Sequence, residues 1–350
     1  MRLLIVKTSS LGDVLQTLPA VSDAARARPD LAIDWLVEEA FAAVPAWHPR
    51  VGEVIPVAIR RWRRRPDPAA IARLVRRLRT RRYDLVIDAQ GLAKSALMTL
   101  IARGPVAGLD HASAREGWVA TFYGRRIAVP RDLHAVERLR RLFAAALGYA
   151  PPDTPADYGI ARPADYGIAR PRRPRLLLLH GATWPTKRWP EAYWGELARL
   201  AAANGIEPAL RWHDLAEHAA AERIAASAPG TVILPAPDLE TLRDVIAGAS
   251  LVAANDSGPA HLAAALGVPS VTLYGATRPA HNGTLGPAQI HLAADFPCSP
   301  CRSRICTYRG PAAVEPACYT TLPPARVWQE LERLLANAAD PQRYGSGVSR

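Results

Sequence analysis

At 350 residues and 37.9 kDa the chain exceeds one ordinary core and predicts two domains, while 49% apolar residues exclude a disordered or fibrous chain. A net charge of +12 is unevenly placed, +11 over residues 1–172 and +1 over 173–350, which excludes a uniform basic coat for nucleic acid and gives the first half an anionic partner. The only N-terminal apolar run is Leu3 to Val6 and no stretch nears ~20 apolar residues, so neither signal peptide nor membrane span is expected and the reading is cytoplasmic.

Short β-rich runs alternate with helical patterns to about residue 275, the rhythm of βα units on parallel sheets. The first half reads Leu3 to Val6 (strand), Asp13 to Arg28 (helix), Ala32 to Val37 (strand), Pro68 to Thr80 (helix), Tyr83 to Asp88 (strand) and a helix from Leu92. Between the halves Ala156 to Pro163 (ADYGIARP) is repeated unchanged as Ala164 to Pro171 among prolines, the mark of a linker, and a slippage duplication without function is the simplest reading. The second half reads Leu176 to His180 (strand), Glu191 to Ala203 (helix), Glu207 to Trp212 (strand), Ala216 to Ala226 (helix) and Thr231 to Leu234 (strand). Leu239 to Gly248, Ser250 to Asn255, Pro259 to Gly267 and Ser270 to Tyr274 follow as helix, strand, helix, strand, with a last helix from Pro323 to Leu335. The expected domains are 1–155, a linker 156–174, 175–322, a C-terminal helix 323–337 and a disordered tail 338–350, the two α/β domains facing one cleft with functional loops after strands.

Of 44 basic residues only Lys7, Lys94 and Lys187 are lysines, which suggests a chemical need where lysine survives. Lys7-Thr-Ser-Ser-Leu-Gly12-Asp13 is a small-residue loop that opens a helix and can present N–H groups to an anion or hold a carboxylate. It is neither a P-loop nor a dinucleotide fingerprint, and from pattern alone Asp13 reads first as the helix N-cap. Asp88-Ala-Gln-Gly-Leu-Ala-Lys94 is a second loop after a strand. From Arg60 to Arg82 there are 11 arginines and one acid, Asp67; Arg73, Arg76, Arg77 and Arg79 read as a solvated helix face, and Arg60 to Arg65 are better placed to grip phosphates. Lys187 stands just before a helix and supplies a compact charge for a diphosphate. Asn255-Asp-Ser-Gly-Pro-Ala-His261 gathers free N–H groups, the positive end of a helix dipole and a histidine after a strand. Cys298, Cys301, Cys306 and Cys318 match the count of an all-cysteine zinc site without a standard spacing, and reduced thiols come ahead of zinc.

Together MRLLIVKTSSLGDVLQTLPA, DWLVEEAF, VIPVAIRRWRR, YDLVIDAQGLAKSA, ARE at 114–116, HAVER at 134–138 and NDSGPAHLAAALGVPSVTLYGAT resemble the ADP-heptose:lipopolysaccharide heptosyltransferases, the first half most like the type I branch. The resemblance spans about residues 1–290 and implies a GT-B fold, two Rossmann-like parallel-sheet domains, with inverting, metal-independent transfer from ADP-heptose to Kdo of Kdo2-lipid A and no cofactor. It implies acceptor binding in the first half, donor binding in the second, peripheral contact with the cytosolic face of the inner membrane and no nucleic-acid partner.

Carried over, Asp13 is the candidate general base, a contribution of ~10²–10⁴-fold in rate. An aspartate near its ordinary pKa of ~3.9 is ionised but weakly basic, so it accepts the proton late, as the sugar becomes oxocarbenium-like. Thr183, Lys187, Glu217, Asp256, Ser257, Gly258 and His261 are the donor candidates, with Glu217 at the ribose. The acceptor candidates are Ser10, Gly12, Arg60, Arg61, Arg63, Lys94, Arg115 and His134. Three departures stand out: His213 where the family usually has glycine, Ser257 for threonine, and a cysteine-rich tail with CSPC closer to the type II and III branches. The last keeps a heptosylated-core acceptor open as an alternative. A basic nucleic-acid-binding protein is the remote one.

Overall fold

A computed structural model describes residues 1–161, 173–235 and 238–339, and divides the chain into two compact units, Met1–Ala161 and Arg162–Arg350. The first unit contains β1 (Arg2–Val6), α1 (Leu11–Leu15), α2 (Leu18–Ala27), β2 (Ala32–Glu38), α3 (Ala43–Ala46), β3 (Val51–Val57), α4 (Ile59–Trp62) and α5 (Pro68–Thr80). It continues with β4 (Leu85–Asp88), α6 (Ala93–Ile101), β5 (Val106–Leu109), β6 (Arg125–Ile127) and α7 (Ala135–Leu147). Its sheet runs β3-β2-β1-β4-β5-β6, all parallel.

The second unit contains β7 (Arg175–Leu179), α8 (Glu191–Ala203), β8 (Glu207–Arg211), α9 (Leu215–Ser227), β9 (Val232–Leu234), α10 (Leu239–Ala247) and β10 (Leu251–Asn255). Then come α11 (Gly258–Ala265), β11 (Ser270–Tyr274), α12 (Pro279–Asn282), β12 (Gln289–Ala293) and α13 (Pro324–Ala339). Read from β9, its order is β9-β8-β7-β10-β11-β12, the first sheet over again and the doubly wound order of a Rossmann fold. In both sheets the order reverses beside the first strand of the unit, between β1 and β4 and between β7 and β10. Ligands of such sheets bind at the carboxyl ends there.

The central strands are buried on both faces, so β1 is apolar without alternation: Leu3, Leu4, Ile5 and Val6 are fully buried. The edge strand β9 was expected as Thr231 to Leu234, but the edge strands β3, β6 and β12 and the interior β5 escaped the sequence reading. β3 contains Pro56, which an edge tolerates because no neighbour needs its N–H, and β6 is Arg-Arg-Ile, with nothing strand-like in its composition.

The expected helix Asp13 to Arg28 is two helices. Pro19, in the first turn of α2, offers no N–H to a continuing helix, and the chain restarts at Leu18. Asp13 is also not an N-cap. Ser10 takes that position and Asp13 is the third residue of α1, where its carboxylate reaches back to Ser10. A buried pair fixes α7 on α2: Arg140 Nε donates to Asp23 Oδ2 at 2.6 Å with both side chains nearly inaccessible.

The described part of the first copy of the duplicated octapeptide, residues 156–161, packs on the first unit. Tyr158 is buried, and Arg26 pairs with Asp157 at 3.1 Å. The second copy lies outside the described residues, as does the expected tail from residue 340; α13 itself extends to Ala339. Among the described residues no helix is long and apolar enough to cross a membrane.

Candidate functional site

In the first unit the loops after β1 and β4 interlock. Gln90 accepts from the Thr8 amide at 2.8 Å, the Thr8 hydroxyl at 2.8 Å and the Ser9 amide at 3.3 Å, and its own amide donates to the Ser9 carbonyl at 2.6 Å. One side chain therefore holds most of the loop that leads into α1. Gln90 is itself set by Asp88, whose carboxylate accepts from the Gln90 and Gly91 amides and, at 2.7 Å, from the Tyr123 hydroxyl. A methyl group on Gly108 would collide with the Tyr123 ring, so glycine there lets Tyr123 reach Asp88. Burial raises the Asp88 pKa, opposed by those same hydrogen bonds.

On this base Asp13 is held by two bonds to one oxygen: the Ser10 amide and hydroxyl donate to Oδ2 at 2.8 and 2.6 Å. Oδ1 lies 3.9 Å from Lys7 Nζ, and the carboxylate remains 48% exposed. Lys7 is almost fully buried and donates to the Ala89 carbonyl at 3.0 Å. Burial holds its ammonium below the ordinary lysine range, while Asp13 and Asp88 work the other way. Lys94 donates to the Ser9 hydroxyl, and its pKa is lowered by burial and then by the charge of Arg60.

Ser10, Asp13, Lys94 and Arg60 thus come together, and Arg115 stands close enough to act on Lys7. Gly12 is buried in the first turn of α1. Arg61 is placed otherwise: it forms a two-point pair with Glu39 on the surface, at 3.1 and 3.0 Å. Arg63 is the C-cap of α4. His134 is the N-cap of α7, its Nδ1 accepting from the Val136 amide at 3.2 Å.

Three participants were absent from the candidates drawn from sequence. Lys7 was visible as one of only three lysines, and Gln90 lay within DAQG. Arg138, from HAVER, also acts on Lys7; it donates through Nη2 to the Ser113 carbonyl while its buried Nε has no partner among the described residues.

In the second unit the loop after β7 carries Thr183, exposed, and Lys187. Lys187 Nζ pairs with Asp256 Oδ2 at 2.6 Å and lies 4.9 Å from the centre of the Trp184 ring. Asp256 also accepts from the Thr277 hydroxyl at 2.6 Å. Asn255 joins the loops, accepting from the Trp189 amide at 3.0 Å and donating to the His180 carbonyl at 2.6 Å. The next residues open α11: Ser257 is the N-cap, Gly258 and Pro259 begin the first turn, and His261 is buried in it. The Ser257 hydroxyl is buried and makes no hydrogen bond among the described residues. Oriented amides at this helix start suit an anion.

Glu217 approaches the same edge from α9. Its carboxylate lies over Gly181, where a methyl group would collide with it, and accepts from the His213 amide at 2.8 Å. Residue 213 enters that contact only through its backbone N–H, which glycine and histidine share.

The four cysteines are free thiols. Burial and the charges of the other three push Cys318 up to about 11. Among the described residues no group of three or more His, Cys, Asp or Glu could hold a metal ion.

Known proteins are similar to both halves. The sequence model of glycosyltransferase family 9 (heptosyltransferase) matches residues 71–311. The lipopolysaccharide heptosyltransferase 1 of Pseudomonas aeruginosa is 48% identical, covering 96% of this chain and 98% of that one. The structure of E. coli heptosyltransferase WaaC with ADP superposes with a TM-score of 0.83 at 40% identity, covering 95% of this chain and 100% of that one. WaaC with ADP-2-deoxy-2-fluoro heptose gives a TM-score of 0.80 at 40% identity, covering 95% and 99%.

Proposed function

The chain belongs to glycosyltransferase family 9, the heptosyltransferases, and from that premise we propose that it transfers heptose from ADP-heptose to Kdo of Kdo2-lipid A in assembly of the lipopolysaccharide core. The observation that carries this reading is the Asp13 carboxylate, fixed by Ser10 and half exposed among Lys7, Lys94 and Arg60. A base in cationic surroundings suits an acceptor that brings carboxylates and phosphates of its own.

Asp13 Oδ1, the oxygen not engaged by Ser10, takes the proton from the acceptor hydroxyl as that oxygen attacks the anomeric carbon. The bond from that carbon to the diphosphate breaks on the opposite face, and the configuration inverts. Lys94, Arg60, Arg115 and Arg138 hold the acceptor anions. Of the candidates carried over from sequence, Arg61 contributes least because Glu39 already occupies its guanidinium.

On the donor side Lys187 and the opening turn of α11 receive the charge that collects on departing ADP. An ammonium has three N–H donors, so Lys187 keeps its bond to Asp256 and still serves a diphosphate. Thr183 and the Ser257 hydroxyl lie in the same loops and add donors. Glu217, braced by the His213 amide, accepts from the ribose hydroxyls. These charges supply what a divalent ion would otherwise supply, so the reaction runs without metal. The enzyme works against the cytosolic face of the inner membrane, where a lipid-borne acceptor lies.

The test is turnover of ADP-heptose with Kdo2-lipid A, with its monoheptosylated form, and in the presence of EDTA. Product from the first acceptor alone, insensitive to EDTA and lost in Asp13→Ala, is expected. Product only from the heptosylated acceptor, or unchanged turnover in Asp13→Ala, overturns the assignment.

A further inference from the structure

The first unit has a surface that transfer does not use. Along one face of its sheet α5, α6 and the 3-10 turn Gly117–Phe122 stand side by side. α5 packs on α6 through Leu74, Leu78, Met98 and Ala102, and α6 meets the turn through Ala96, Val119 and Ala120.

The outer side of this layer is divided in two. α6 bears a single charged residue, Lys94 at its start, and turns Leu97 and Leu100 outward, 56% and 52% exposed. The adjoining turn presents Trp118 at 56% and Phe122 at 43%, their rings edge to face with centres 6.1 Å apart. Four large apolar side chains on two packed elements form a patch, whereas single exposed ones are ordinary. Beside it α5 turns out Arg73, Arg76 and Arg79, and Arg103 follows the end of α6. Among the described residues none of these four arginines is paired with a carboxylate.

We propose that this surface docks on an anionic lipid bilayer. Leu97, Leu100, Trp118 and Phe122 enter the boundary between headgroups and acyl chains, and the α5 arginines lie against lipid phosphates. Charge complementarity selects this occupant. A protein partner fitting the apolar patch would still have to supply a row of acids opposite α5, whereas a leaflet of anionic lipids offers phosphates everywhere. Tryptophan and arginine are also the side chains that settle at a headgroup interface. The inference deepens the proposal of a lipid-borne acceptor and rests on it for its purpose; its flotation measurement contains no acceptor, so either can fail alone.

The full chain is mixed with vesicles of phosphatidylcholine containing about a third phosphatidylglycerol, and with pure phosphatidylcholine, at 0.1 M salt, and floated on a density gradient. Binding to the mixed vesicles only is expected. Leu97→Ser with Trp118→Ser should weaken it about tenfold or more, and so should Arg73→Ser with Arg76→Ser and Arg79→Ser. Both variants should keep their circular dichroism spectrum and their turnover of an acceptor dissolved in detergent. The arginine variant, which touches no apolar packing, serves if the first does not fold. Equal flotation of wild type and variants, no flotation of wild type, equal binding to both vesicle types, or a wild-type dimer that the leucine and tryptophan changes dissociate would each overturn the proposal.

Discussion

The two carboxyl edges are built on one strand order and handle charge in opposite ways. At the first, Lys94, Arg60 and Arg115 have no ion-paired carboxylate among the described residues; Glu38 acts on Lys94 from a buried position, and Asp13 beside it is half exposed. At the second, Lys187 is already matched to Asp256 at 2.6 Å. Unpaired cations around an exposed base suit a large anion, whereas the Lys187–Asp256 pair is prepared for a small anion that shares it. Topology gives both edges the same place for a ligand, and a few side chains decide what is held there.

The sharpest way to break this contrast is at the base. Asp13→Ala should lower kcat by ~10²–10⁴-fold while ADP binding stays unchanged, as read by steady-state rates and calorimetry. A loss of ADP affinity would put Asp13 on the donor side. Lys187→Ala should do the reverse, weakening ADP about 10–100-fold by removal of a charge-assisted contact and leaving the acceptor KM alone.

Acid stability sharpens the contrast outside the site. Burial holds His48 of the first unit down at about 4, against ~6.5 when unfolded. Below about pH 6.5 the unfolded chain takes up a proton that folded His48 refuses, so stability falls as pH drops toward 4, by ~2 kcal/mol at pH 5. The urea midpoint should fall between pH 7 and 5, and His48→Gln should remove part of that fall. Buried His180 and His291 of the second unit, also lowered by burial, account for more.

Smaller effects follow around Asp13. Gln90→Leu leaves the Thr8 and Ser9 amides without their acceptor, so kcat should drop about tenfold with the donor KM unchanged. Gln90→Glu keeps the accepting oxygens and should recover much of it, which a purely space-filling role for Gln90 would not produce. Arg61→Ala should change the acceptor KM less than about threefold, because a surface pair with Glu39 is all it surrenders. The corresponding change at Arg60 should exceed it.

The repeated βα rhythm was readable because central strands such as β1 and β10 are continuous apolar runs. The edge strands β3 and β6 were not, since β3 contains proline and β6 is mostly arginine, and only pairing with a neighbour makes them strands. In the site, loops after strands were legible from the small residues and lone lysines they carry. What no spacing could give is partnership. Asp13 looked like an N-cap until Ser10 took that place, and Arg61 looked equal to Arg60 until Glu39 was found beside it. Gln90 went unnoticed because its role lies in four bonds to residues more than 80 positions away.

Photolabelling the full chain with 8-azido-ADP, followed by peptide mapping, addresses the division between the edges most directly. Label confined to residues 180–188, 211–218 and 255–261 is the expected result. Label concentrated on residues 7–13 or 88–94 would contradict it.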